Sequence, residues 1–562
     1  TKNAPFDLPC PSCEKSLCTP GGDKYSTWRV QTTVSIDLTI DIDSPGSRSF
    51  YPRRSSNRAQ EQGTSAMDTT STLSIGAALL TGVAIGVHWK RISSFFFTTT
   101  TTTTTTNKQT TLSKRLKYFS EAQSISYKNT EPLMALQTSM QYVIDSTGTS
   151  FLDSRNNVGH VGWCHPHVVQ AIQEQVALCP ANSRYLHPKR ALLAERLLAH
   201  FPKELCVVFL VNSGSEANDL ALRLARTHTQ HHDAIVVDHA YHGHTNATLS
   251  LSPYKYNHKG GERYKQEWVH KVSCPDMYRG KHANMANKKQ ATMEYSNEVQ
   301  QACQQSTTHG KKVAAFFIES GMSVGGVILP PEGYLEQCYT HVRNSGGVCI
   351  ADEVQTGFGR FGSSFWGFQQ QGVVPDIVTM GKPFGNGFPL AAVVTTKEIA
   401  ASFSNGLEYF NTFGGNPVAC AAGLAVLDVL ESEQLQQHAL NVGNHIMQRL
   451  RRFVAQEAQE AQGSSLATIG DVRGCGLFIG IELVRDTTTK EPATAETSIL
   501  CSRLKKENRI LTSIDGPHDN VIVIKPPMCF TLENADALID AMLKTLPKIT
   551  QEEVLQFIHT PT

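Results

Sequence analysis

From about residue 120 onward, short apolar runs alternate with stretches of helical period. Val207–Val211, Ala234–Val237, Val313–Ile318, Val348–Ala351 and Ile377–Met380 read as strands buried on both faces. Strands alternating with helices predict an α/β fold: a largely parallel sheet covered by helices on both sides. Beyond about residue 425 the pattern changes. A long amphipathic stretch precedes strand-like Leu477–Val484 and Val521–Ile524, then a terminal helix over Asn534–Leu546. The expected organisation is an N-terminal segment (116–185), a large domain (186–425) and a smaller α+β C-terminal domain (426–562).

Residues 1–115 lack sustained periodicity. They are rich in Ser and Thr, include nine consecutive threonines from Thr98 to Thr106, and predict a mostly disordered extension. One stretch within them differs. Thr69 to Trp89 carries no Lys, Arg, Asp or Glu, and Leu73 to Val87 is apolar or small, with Lys90 and Arg91 following. It is near the lower limit for a bilayer span, and its Gly, Ala and Thr content weakens insertion. With a start at Met67 it would sit where a targeting peptide or signal anchor sits. Segment 69–89 is therefore expected to be a possible anchor, with the compartment open between mitochondrion and cytoplasm.

Charge is balanced, 51 Lys and Arg against 50 Asp and Glu, which leaves no electrostatic footprint for nucleic acid. Eleven of the 14 cysteines are scattered from Cys164 to Cys529, as expected of reduced thiols. Cys10, Cys13 and Cys18 have half the spacing of a zinc site but no second pair, so no metal is expected.

Four features carry chemistry. Asn212-Ser213-Gly214-Ser215-Glu216 follows the strand Val207–Val211 directly, and Ser213 and Glu216 have capping-box spacing. Small residues at such a helix start let a phosphate approach free N–H groups, although an ordinary capped turn fits as well. Asp352 ends the strand beginning at Val348, on the edge where open α/β sheets collect ligands; a helix cap is its plain alternative. Lys382, in Met380-Gly381-Lys382-Pro383, lies about one βαβ unit later on the same edge. A lone lysine there is usually a surface residue, but Gly and Pro fix this loop. Tyr241, in Tyr241-His242-Gly243, offers a ring to a flat cofactor. His239, His242 and His244 also suggest a metal, though carboxylate partners are not evident nearby.

Together these residues resemble the class III (ω-) aminotransferase family, of pyridoxal 5′-phosphate (PLP) fold type I, over about 120 to 550. The signature runs from Phe-Ile-Glu319-Ser through Ile-Ala-Asp352-Glu-Val-Gln355-Thr-Gly-Phe-Gly-Arg to Gly-Lys382. The resemblance implies Lys382 as the Schiff-base lysine and Asp352 as partner of the pyridine nitrogen. It implies Gly214 and Ser215 at the cofactor phosphate, Tyr241 stacked on the ring and Gln355 at its phenolic oxygen. Thr412, in Asn411-Thr412-Phe413-Gly414-Gly415, would reach the phosphate of a neighbouring subunit, which implies a homodimer with shared sites.

Longer matches narrow the branch. Asn156-Asn157-Val-Gly-His160, Asn182-Ser183-Arg184-Tyr185-Leu186-His187 and Lys525-Pro-Pro-Met-Cys529-Phe-Thr resemble the phospho-lyases that act on O-phosphoethanolamine or 5-phosphohydroxy-L-lysine. Ser320, where the aminotransferase pattern has proline, points the same way. A phospho-lyase must hold a second phosphate, and Arg184, Lys255 and Arg473 are the candidate cations. Each fits a surface or structural role equally. Arg473 also matches the arginine that binds a substrate carboxylate in aminotransferases, so transamination to pyruvate or glyoxylate stays open as the alternative. In either case the substrate is a small primary amine.

Overall fold

The computed structural model describes residues 107–128, 131–308, 310–457 and 465–559. Segment 69–89 and Cys10, Cys13 and Cys18 lie outside them. Among the described residues no helix is long and apolar enough to cross a membrane. A helix over Lys108–Tyr118 starts before the composition boundary near 115 that the sequence suggested.

Three short strands come first: β1 (Ala135–Ser139), β2 (Tyr142–Asp145) and β3 (Ser150–Asp153). The main sheet then uses β4 (Val207–Val211), β5 (Asp233–Val237), β6 (Val269–Val272), β7 (Val313–Glu319), β8 (Val348–Asp352), β9 (Ile377–Met380) and β10 (Ala391–Thr395). Its order is β4-β10-β9-β8-β7-β5-β6. Strands β6, β5, β7, β8 and β9 pair in parallel, and β10 runs antiparallel to both β4 and β9.

The central strands β5, β7, β8 and β9 are buried on both faces, which is why they read as unbroken apolar runs. Along β7, Ala315 and Phe317 face the helix Gly214–Thr229 through Ala217, Leu220, Ala221 and Leu224. Phe316 and Ile318 alternate to the opposite face, against Tyr295 and Val299 of the helix Lys288–Thr308 and Tyr334 and Cys338 of the helix Tyr334–Asn344.

The later strands are β11 (Thr468–Cys475), β12 (Phe478–Asp486), β13 (Glu491–Pro492), β14 (Ile510–Leu511), β15 (Ser513–Asp515) and β16 (Val521–Ile524). They form a second, antiparallel sheet in the order β11-β12-β16-β15, with β13 on β12. The exception is β14, which pairs in parallel with β3 and completes the small N-terminal sheet. The sequence expectation kept these segments apart; the chain joins them.

Arg360 locks the centre. Its side chain is fully buried, and it donates to the carbonyls of Leu477 (3.0 Å) and Pro526 (2.9 Å) and to His160 Nδ1 (3.1 Å). Burial pulls the guanidinium down to about 9. Arg360→Ala strands these acceptors without donors and should cost on the order of 3 kcal/mol. Denaturant unfolding checks this; an unchanged midpoint contradicts it.

Candidate active site

Strand register brings the chemistry together. Glu319 pairs with Asp352 across β7 and β8, and Asp352 with Thr379 across β8 and β9, so three strand ends lie abreast. Lys382 follows on the loop after β9. From the far side of β10, β4 points the same way as β9 and delivers Gly214 to this edge. Gly381 packs against it so closely that a Cβ at 381 would lie 3.2 Å from Gly214 N. From the other side, β5 leads into the turn carrying Tyr241 and His242.

Asp352 is buried, and its partners come from separate elements. Oδ2 accepts from Asn218 Nδ2 (2.7 Å) and His242 Nδ1 (2.8 Å), and Oδ1 from Val354 N (3.0 Å). A carboxylate only accepts, so the His242 proton sits on Nδ1. His242 Nε2 is buried with no partner among the described residues. Asn218 is itself held, receiving Thr379 Oγ1 at 2.7 Å and donating to the His242 carbonyl at 2.9 Å. Neither Asn218 nor Thr379 was assigned a role from sequence, and His242 was offered only as a candidate metal ligand. Asn218 was findable, because it lies one helical turn past Gly214 on the inward face.

The helix start departs from the spacing argument in one detail. Ser213 Oγ accepts from Glu216 N (3.2 Å), but the Glu216 carboxylate bypasses Ser213 and takes Asn212 N (2.7 Å) and Asn212 Nδ2 (2.9 Å). Half the capping box forms. The N–H groups of Gly214 and Ser215 remain at the open helix end.

Around the buried core lies a partly accessible ring: Gly214, Ser215, Tyr241, Gln355 and Lys382. Burial, then the charge of Lys525, push the Lys382 ammonium below its ordinary range, while Asp352 and Glu319 oppose this. Gln355 Oε1 accepts from Asn157 Nδ2 at 2.8 Å, which leaves its amide N–H groups without a protein partner among the described residues. Tyr241 N donates to Glu319 Oε1 (3.0 Å), and Ser323 N to Glu319 Oε2 (3.1 Å). Ser320 Oγ donates to buried Glu353 at 2.7 Å.

The proposed cations divide. Arg184 is exposed, paired with Glu408 (3.0 and 3.1 Å) and laid 3.7 Å over the Phe410 ring. Arg473 is largely buried, with Nη1 between Asp471 (2.8 Å) and Glu482 (2.7 Å) and Nε on the Gly326 carbonyl (2.8 Å). Both guanidiniums are already paired with carboxylates. Lys255 Nζ has no carboxylate partner among the described residues and lies 5.8 Å from the Tyr241 ring centre and 4.9 Å from that of Tyr254. The three histidines diverge: His242 turns in to Asp352, His244 N donates to Ser215 Oγ (3.1 Å), and His239 lies beside Asp238. Thr412 is exposed, outside the ring.

A family model, aminotransferase class III, matches residues 125–546. The chain belongs to the class III aminotransferase family. Its relatives include an alanine–glyoxylate aminotransferase 2-like protein of Drosophila melanogaster, 47% identical over 80% of this chain and 89% of that protein. An ethanolamine-phosphate phospho-lyase homolog of Caenorhabditis elegans is 44% identical over 78% and 93%. Among solved structures, an Arthrobacter phospholyase in complex with phosphoethanolamine superposes with a TM-score of 0.71 at 36% identity, over 80% of this chain and all of that one. This class III protein is thus a PLP-dependent enzyme of fold type I.

The site residues fit the cofactor. Asp352 Oδ1 accepts one hydrogen bond and keeps a lone pair for a ring N–H. A Cβ at Gly243, where φ is +132°, would meet Ser215 Oγ at 2.7 Å, so the backbone closes tightly beneath the helix start.

Burial raises the Glu319 carboxyl from 4.5 to about 7. Between those values only the folded chain binds this proton, so the group's contribution to stability falls as pH rises through the window. Between pH 4.5 and 7 the wild type should lose roughly 3 kcal/mol more than Glu319→Gln. Denaturant unfolding at several pH values checks this; parallel curves would contradict it.

Proposed function

We propose that this chain is a phospho-lyase, eliminating phosphate from a phosphorylated primary amine, O-phosphoethanolamine or 5-phosphohydroxy-L-lysine, to give an aldehyde, ammonia and phosphate. The observation that carries the reading is Lys255, an ammonium with no carboxylate partner among the described residues, set over Tyr241 at the rim of the site. The likeness to a phospholyase structure holding phosphoethanolamine supports it.

When bound, PLP supplies the electron sink for bond breaking at the amine-bearing carbon. Lys382 would hold the cofactor, and its amine, made less basic by burial, would take the proton from that carbon. Asp352, fixed by Asn218 and His242, holds the proton on the ring nitrogen. The N–H groups of Gly214 and Ser215 bind the cofactor phosphate, Tyr241 covers the ring, and Gln355 donates to the phenolic oxygen. Lys255 binds the substrate phosphate and neutralises it as it departs. Exposed Tyr185, Leu186, Leu407 and Phe413 flank Thr412, the apolar surface a second copy covers when it places Thr412 at its partner's cofactor phosphate.

Purified protein given O-phosphoethanolamine or 5-phosphohydroxy-L-lysine should release inorganic phosphate and ammonia with no keto acid present. Turnover that demands pyruvate or glyoxylate and frees no phosphate assigns transamination instead, the activity named for the Drosophila relative. Lys255→Met should raise KM for the phosphorylated amine about tenfold or more, consistent with loss of a charge-assisted contact. An unchanged KM removes Lys255 from the substrate site. Lys382→Ala should abolish the absorbance of the lysine-bound cofactor.

A further inference from the structure

The face of the main sheet that lies against the helix Gly214–Thr229 is apolar at Val211, Ile350, Ile377 and Val393. Side chains alternate along a strand, so Asp352, two residues past Ile350, and Thr379, two past Ile377, share that face. The two are also register partners across β8 and β9. Thr379 is fully buried, and a valine has nearly its shape, so the hydroxyl needs a physical reason.

That hydroxyl makes one contact among the described residues: Oγ1 donates to Asn218 Oδ1 at 2.7 Å. Asn218 is buried, and its Nδ2 donates to Asp352 Oδ2 at 2.7 Å and to the His242 carbonyl at 2.9 Å. Both of those partners only accept, so the amide lies one way round, with Oδ1 toward Thr379. Without the hydroxyl, Oδ1 is a buried acceptor that has lost its donor, and that penalty exceeds the net worth of the bond. An amide that turns to find another donor withdraws Nδ2 from Asp352. Oδ2 of the carboxylate then keeps His242 alone.

We propose that Thr379 is a positioning residue for Asp352: acting through the Asn218 amide, its hydroxyl holds the carboxylate so that Oδ1 faces the ring nitrogen of the cofactor. The proposal rests on Asp352 being the partner of that nitrogen. Thr379 lies three residues before Lys382, so the strand that delivers the lysine also steadies the carboxylate. A packing role alone would depend on the volume at position 379 and not on the hydroxyl.

The test measures the dissociation constant of the cofactor, and the NMR resonance of bound cofactor carrying an isotopically labelled ring nitrogen. Thr379→Val keeps the shape and removes the hydroxyl. It should weaken cofactor binding about fivefold or more and displace the ring resonance. Thr379→Ser keeps the hydroxyl and should stay within about twofold of the wild type, with the resonance in place. In an Asn218→Leu background, Thr379→Val should have no further effect, because the connection is already cut. If Thr379→Val alone folds poorly, that double variant replaces both groups by apolar ones, and it should show the same weakened binding and displaced resonance. Equal losses in the Val and Ser variants, additive losses in the Asn218→Leu background, or wild-type binding in the double variant overturn the proposal. Binding and a resonance left unchanged by Asp352→Asn overturn instead the reading of Asp352 beneath it.

Discussion

Asp352 is a carboxylate buried at the end of a central strand, and the surrounding site is built to tolerate it. Burying an unpaired charge is prohibitive, so hydrogen-bond donors must converge there from elsewhere in the chain. Asn218 comes from the helix after β4, His242 from the turn after β5, and Val354 from the loop after β8. Thr379 on β9 holds Asn218 in place. Four strand ends are thereby tied to one oxygen pair.

That constraint explains why the same edge suits PLP chemistry. The donors occupy Asp352 from the protein side and leave Oδ1 a lone pair. The helix start at Gly214 presents N–H groups, the Lys382 loop packs on that start through Gly381, and Tyr241 is braced by Glu319 from below. Positive charge is graded across the site. Arg473 is neutralised by two carboxylates, Lys525 is half-compensated, and Lys255 has no carboxylate partner among the described residues. The family membership accounts for the cofactor, while this gradation bears on which amine is used.

Much of this was legible in the sequence. Strands β5, β7, β8 and β9 are buried on both faces and β4 at its far end, so their apolar runs were unmistakable, and the residues at the ends of four of them located the edge. Edge strand β6 was hidden, because Val-His-Lys-Val places polar residues in its middle. The terminal helix Gln551–His559 was missed because it buries only Val554. The pairing of β14 with β3 joins residues more than 350 positions apart, which no local pattern encodes. Within the site, Asp352 and Lys382 stood out by position, but His242 looked like one of three metal candidates. Glu319 looked like a motif member without a task. Such roles depend on how separate elements pack, and side-chain spacing along one chain does not carry that information.

The central claim is that Lys382 bonds the cofactor at the edge organised by Asp352. Borohydride reduction of the holoenzyme fixes the cofactor to its lysine, and peptide mass spectrometry then locates it. The pyridoxyl group should be found on Lys382. Its appearance on Lys525, Lys255 or any other lysine would contradict the account.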